Sequence, residues 1–174
     1  MAQCLQDPHV TKASLAGHVS EFISALEDSV VSSKAKSARQ PFIERFRPYE
    51  GLKTFQAKAV EDISSSGYVV HSLEAALWAF FTTESFGEGA IKVVNLGDDA
   101  DTVGAIYGGL AGAFYGDAQV PEEWLADMKR LDLVEEVIGG VVEALRKEGE
   151  KPRHEDRDQG IGERIAAGVE ALGV

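Results

Sequence analysis

Asp98, Asp99 and Asp101 fall within four residues in the stretch "VNLGDDADTVGAIYGGLAGAFYG", Val94 to Gly116, and Thr102 follows them directly. Two chemistries suit this set. A carboxylate at the start of a helix accepts hydrogen bonds from the first free N–H groups and gains from the positive end of the helix dipole. Crowded carboxylates beside a hydroxyl also offer hard oxygen donors, and a divalent cation such as Mg²⁺ would relieve their repulsion. Capping accounts for one acid and not for three, yet on the residues alone both readings stand. An EF-hand calcium loop is a poor match, because the spacing lacks that loop's glycine and its closing glutamate.

Behind the acids come Gly104, Gly108, Gly112 and Gly116, four residues apart. On a helix that spacing draws one smooth stripe, at a cost of roughly 1 kcal/mol per glycine relative to alanine. Close packing of a neighbouring helix against the stripe is the expected compensation. A phosphate-cradling loop is excluded: no Lys-Ser/Thr pair follows the glycines, and no strand precedes a G-x-G-x-x-G pattern.

The elements that must position these residues read as helices. Thr11 is placed to cap a helix whose apolar positions Leu15, Val19, Phe22, Ile23, Leu26 and Val30 recur at intervals of three and four. "SSKAKSARQP" reads as a loop and "RFRPYEGL" as a turn, since Pro41 and Pro48 interrupt helical pattern. A second helix is predicted over Leu52 to Ile63 with Phe55, Ala59 and Ile63 buried. A third, from His71 to Thr83, turns Leu73, Ala76, Leu77, Phe80 and Phe81 inward. Phe86 to Val94 makes a short fourth and the segment after Asp101 a fifth. Pro121 suits the first turn of a sixth, and Leu133 to Leu145 a seventh. No strand pattern or repeat is present, so the fold class is all-α.

The chain has 174 residues, one ordinary domain in size, and 44% of them are hydrophobic, enough for a core. Lys and Arg number 17 against 29 Asp and Glu, a formal charge of −12, with no basic cluster to follow a phosphate backbone. Nucleic-acid binding is therefore not expected. The single cysteine, Cys4, rules out an internal disulfide framework and reads as inert. "MAQCLQDPHV" lacks the basic start and apolar run of a secretory leader, and no uncharged run is long enough to span a bilayer. A cytoplasmic or nuclear protein without membrane contact is the expectation. "KEGEKPRHEDRDQG" is charged and reads as a solvated linker with His154 at the surface. The expected division is thus a domain over residues 1–148, a linker over 149–160, and a tail over 161–174 able to form a short helix.

The string "NLGDDADTVGAIYGGLAGAFYG" closely resembles the C-terminal signature of the ADP-ribosylglycohydrolase family, in which a G-x-D-x-D-T-x-G-A segment opens a glycine-rich helix. "SGYVVHSLEAALWAFFTTESFGEGAIKVVNLG" before it and "YGDAQVPEEWL" after it are similar to the same family, so the resemblance runs from Ser66 to Leu125 without a gap. It implies an all-α, multi-helix orthogonal bundle around two Mg²⁺ or Mn²⁺ ions. The implied reaction is hydrolysis of the glycosidic bond joining ADP-ribose to a protein side chain or small acceptor. Carried over by position, Asp99, Asp101 and Thr102 are the implied metal ligands, and Asp98 stands where the family often has glycine. By the same resemblance Gly67 and Tyr68 are expected to fall in a loop bordering the ADP-ribose site. The Tyr68 ring could stack there on the substrate, or equally serve as an aromatic at the rim of the core.

The family's N-terminal half, with its G-D-A-x-G stretch, its Thr-Asp-Asp metal motif and the acid that orients water, has no counterpart in this sequence. "FTTESF" is the nearest approach to Thr-Asp-Asp and lies in the wrong half. The chain therefore reads as the C-terminal portion of such a domain. It is expected to bind metal weakly, to expose apolar helix faces, and to need a complementary N-terminal half for turnover. No catalytic residue is assigned. The alternative expectation is a catalytically inactive paralogue acting as a binding or interaction module.

Overall fold

The structure is a computed structural model and describes residues 9–29 and 32–149. The described residues form eight α-helices, one more than the seven expected, and no strand, in keeping with the all-α class the sequence predicts. Helix α1 is Lys12–Asp28, opened by a reciprocal cap in which Thr11 and Ser14 each accept the other's backbone N–H. Its inner face buries Leu15, Ala16 and Ile23, while Phe22 stays largely exposed. Val30, Cys4, His154, the remainder of the expected linker and the tail over 161–174 lie outside the described residues.

Helix α2, Ser33–Phe46, occupies the stretch expected to be a loop. Ser32 caps it by accepting the Ala35 N–H, and its Lys, Ala, Arg and Gln residues favour a helix. Pro41 sits inside, leaving the Ser37 carbonyl without its intrahelical donor. Burial of Ile43 and Phe46 beyond the proline offsets that loss. The turn expected around Pro48 follows.

The helix expected over Leu52 to Ile63 is broken into α3, Leu52–Gln56, and a 3₁₀ turn at Val60–Asp62. The Lys58 carbonyl accepts the Trp78 indole N–H at 3.1 Å, which takes it out of any helical ladder. Phe55 and Ile63 are buried as expected, but Ala59 is exposed because the chain turns there.

Helix α4, Val69–Phe81, is the centre of the fold, with Ala75, Ala76, Ala79, Phe80 and Phe81 at or near full burial. Its fully buried Glu74 is held by three partners from outside the helix: Arg45 Nε donates to Oε2 at 2.6 Å, Tyr49 donates to Oε1, and Lys58 Nζ lies 3.5 Å from Oε1. A buried carboxylate is tolerable only with such pairing. Aromatic rings then run in contact from Phe42 through Phe46, Tyr49, Phe55 and Phe81 to Phe80, Phe114 and Tyr115. Lys12 Nζ closes that end, donating to the Phe80 carbonyl at 2.6 Å and to the Thr83 carbonyl while lying over the Phe80 ring.

Helices α5, Phe86–Val94, and α6, Ala100–Tyr115, pack on α4 and on each other. The residues of α6 that reach the core are Val103, Tyr107 and Ala111. Gly104, Gly108 and Gly112 each follow one of these by a single residue, about 100° round the helix. The glycine stripe consequently faces away from the core, with nothing within 4 Å of where a Cβ would stand, so it is not a packing face among the described residues. Gly116 lies beyond the helix and ends it at φ +81°. The tight glycine is Gly89 of α5, where a Cβ would fall 2.1 Å from the Tyr107 hydroxyl oxygen.

Pro121 directly precedes α7, Glu122–Asp127, and α8 is Leu131–Gly149. No helix among the described residues is long and apolar enough to cross a membrane.

Candidate active site

The acid cluster sits at the N-terminus of α6, presented by a tight turn in which Gly97 and Asp98 both take positive φ, +71° and +53°. Two left-handed residues in succession reverse the chain after α5 and aim the next residue, Asp99, at the helix entrance. The Asp99 N–H donates to the Ser65 carbonyl at 3.1 Å. Ser65, itself buried, donates its hydroxyl to the Gly97 carbonyl at 3.0 Å. These bonds join the turn to the segment "SSSGY", more than thirty residues upstream.

Asp99 occupies the N-cap position, and its carbonyl accepts the Val103 N–H at 3.1 Å. Its carboxylate, however, bonds no backbone N–H of the helix. Oδ1 instead accepts the Thr102 hydroxyl at 3.0 Å. Oδ2 lies against Gly67, 3.0 Å from where a Cβ of that residue would be, so absence of a side chain at Gly67 is what admits the carboxylate. The Thr102 N–H goes to Asp101 Oδ1 at 2.9 Å. That bond, with a further contribution from Asp99, holds the exposed Asp101 carboxyl below the usual carboxylate range. A capping-type bond is thus made by Asp101, which frees Asp99 for Thr102.

Asp99, Asp101, Thr102 and Gly67 are brought together, with Asp98 on the exposed outside of the turn. Tyr68 adjoins them as the residue before α4, with its ring half exposed and edge-on to His71 at 5.1 Å between centroids. Beside it opens a shallow cleft of about 310 Å³ lined by Pro41, Glu44, Arg45, Tyr68, Val70 and His71.

Sequence reasoning did not single out Ser65, Ser66 or His71. Ser66 Oγ lies 2.9 Å from His71 Nδ1, and the Ser66 carbonyl accepts the Ser72 hydroxyl at 2.9 Å, so this loop is tied to the first turn of α4. The signal available was the serine run itself, three hydroxyl residues directly before Gly67 and a buried helix.

The donors at this helix entrance are carboxylate and hydroxyl oxygens, the type that Mg²⁺ or Mn²⁺ prefers. In type they fit such an ion. In number they supply only part of a coordination shell, since among the described residues no three His, Cys, Asp or Glu side chains gather closely enough to hold one.

A sequence model of the ADP-ribosylglycohydrolase family matches residues 2–154. Among individual relatives, an ADP-ribosylarginine hydrolase Tri1 of Serratia proteamaculans is 46% identical over 71 residues, 41% of this chain and 19% of that protein. The ADP-ribosyl-[dinitrogen reductase] glycohydrolase of Rhodospirillum rubrum is 40% identical over 102 residues, 58% of this chain and 29% of the relative. The bovine ADP-ribosylhydrolase ARH3 is 24% identical over 125 residues, 63% of this chain and 34% of its own length. The chain therefore spans about a third or less of these relatives.

Proposed function

The chain belongs to the ADP-ribosylglycohydrolase family, and on that premise we propose that it serves Mg²⁺- or Mn²⁺-dependent hydrolysis of the glycosidic bond between ADP-ribose and a modified protein or small acceptor. The observation that carries this reading is the meeting of Asp99 with both Thr102 and Gly67. It joins the acids of the metal motif to the loop that the family resemblance assigns to ADP-ribose.

In this reading Asp99, Asp101 and Thr102 hold one side of the metal centre. A divalent cation, when bound, supplies a positive charge that polarises substrate oxygens as the glycosidic bond weakens. The chain's own residues prepare that place. The Thr102 N–H, donated to Asp101, favours the anionic form of that carboxyl. The Thr102 hydroxyl fixes the direction of Asp99. Gly67 leaves the approach open, and the exposed face of Tyr68 offers a surface for a base or ribose to stack on.

A second reading is favoured by the small number of donors gathered at the helix entrance among the described residues. In it the chain is a binding module that retains the fold and part of the metal set without turnover. One experiment separates the two. Free ADP-ribose released from an ADP-ribosylarginine peptide would be measured with the purified chain and Mg²⁺, alone and mixed with the N-terminal half of a relative. Turnover in either arm that is lost in Asp101→Ala supports the enzyme; none in both arms, with Mn²⁺ binding still measurable by calorimetry, supports the module.

A further inference from the structure

His71 stands in the first turn of α4, three residues after Tyr68, and helical side chains lean back toward the N-terminus, so its ring is carried over the residues that enter the helix. There it meets two of them. Ser66 Oγ lies 2.9 Å from Nδ1, and the Tyr68 ring stands at 89° to the imidazole with 5.1 Å between centroids. An imidazole turns through a broad range about its outer torsion, and a hydroxyl at one ring nitrogen selects one orientation from that range. Ser66 is itself held, because its carbonyl accepts the Ser72 hydroxyl from α4.

The Tyr68 backbone is fixed on both sides: Gly67 before it abuts Asp99, and its own carbonyl accepts the His71 and Ser72 N–H groups at 2.8 and 3.0 Å. Its ring has less to hold it, being 47% exposed with His71 as its one aromatic neighbour among the described residues. A half-exposed ring left to itself spreads over several rotamers, and a ligand that needs one of them loses affinity in selecting it. Edge-to-face packing, the arrangement that ring quadrupoles favour, narrows that choice. Both rings line the cleft beside α2, so this contact decides how Tyr68 faces at its mouth.

We propose that His71 is a positioning residue: braced by Ser66, it holds the Tyr68 ring in one rotamer at the edge of the ADP-ribose site. The proposal rests on the reading of Tyr68 as part of the surface that takes ADP-ribose.

Two measurements on the full chain test position and purpose separately. With tyrosine isotopically labelled, the three-bond couplings about Tyr68 χ1 in the ligand-free chain should report one rotamer, and both Ser66→Ala and His71→Ala should average them. Calorimetric titration of the same chains with ADP-ribose and Mg²⁺ should show affinity weakened about two- to tenfold by either substitution, the worth of ordering one side chain. In a Tyr68→Ala background neither should weaken it further, which a merely structural role for His71 would not produce. Ser66→Ala removes only a hydroxyl, so it carries the test even where His71→Ala fails to fold. Couplings already averaged in the parent, or unmoved by the substitutions, overturn the positioning role, and so do equal losses of affinity with and without the Tyr68 ring. A parent that binds no ADP-ribose, with couplings responding as expected, upholds the brace and overturns instead the reading of the surface that Tyr68 lines.

Discussion

The Tyr107 hydroxyl stands where a side chain on Gly89 would begin: a Cβ there would lie 2.1 Å from the phenolic oxygen. Tyr107 uses this opening to donate to the Phe86 carbonyl at 2.9 Å, holding α6 against the first turn of α5. Gly89→Ala should therefore cost about 2–3 kcal/mol, since neither backbone nor ring can give way cheaply. Gly108→Ala should be neutral or stabilise by up to about 1 kcal/mol, because it fills open space and favours the helix. Urea unfolding of the pair decides it, and equal losses at both positions would refute this account of α6 packing.

Glu74 is the second point of structural dependence. Glu74→Ala removes the partner of Arg45, Lys58 and Tyr49 at once and leaves a cavity beside them. Arg45 and Lys58 keep partial access to water, so the expected loss is near the lower end for a broken buried pair, about 3 kcal/mol. Glu74→Gln, which preserves volume and can still accept from Tyr49, should lose less. Equilibrium denaturation of both variants checks the order.

Stability should fall in alkali for an identifiable reason. Burial pushes the Tyr107 and Tyr115 hydroxyls up to about 12 from an ordinary value of 10.0. The folded state then holds these protons more tightly than the unfolded chain does. Their contribution is intact below pH 10.0 and is lost as pH rises through about 12. Urea midpoints measured across that window should decline, and Tyr107→Phe should flatten the decline even though it loses a hydrogen bond.

Tyr68→Ala should separate binding from folding. The ring is half exposed and edge-on to His71, so stability should change by no more than about 0.5 kcal/mol. Affinity for ADP-ribose in the presence of Mg²⁺ should weaken by about 1–3 kcal/mol, the worth of one stacked base. Calorimetric titration that finds no difference would remove Tyr68 from the binding surface.

What could be read from sequence was what depends on near neighbours. The cap at Thr11 and the bounds of α5 follow from residues three or four apart. The misread places are those where a distant residue decides. Pro41 argues locally for a break, but buried Ile43 and Phe46 hold α2 together across it. The helix expected to continue past Gln56 stops because the Trp78 indole bonds the Lys58 carbonyl. The glycine spacing was real, yet spacing alone could not say which stripe of α6 turns inward. Nothing in the spacing of Ser65 and Asp99 foretells their bond; it exists because α5 returns the chain to the start of α4.

Lys12 bonds the Phe80 carbonyl across 68 residues of chain and the Thr83 carbonyl across 71. The first turn of the first described helix is thereby fastened to the end of the central one, which ties the start of α1 to the core beneath it. On a ribosome, α1 can dock on α2 and α3 as they emerge, but its Lys12 anchor is completed only once the end of α4 has been made. In amide hydrogen exchange the first turns of α1, around buried Leu15 and Ala16, should be better protected than the end of the helix at Asp28.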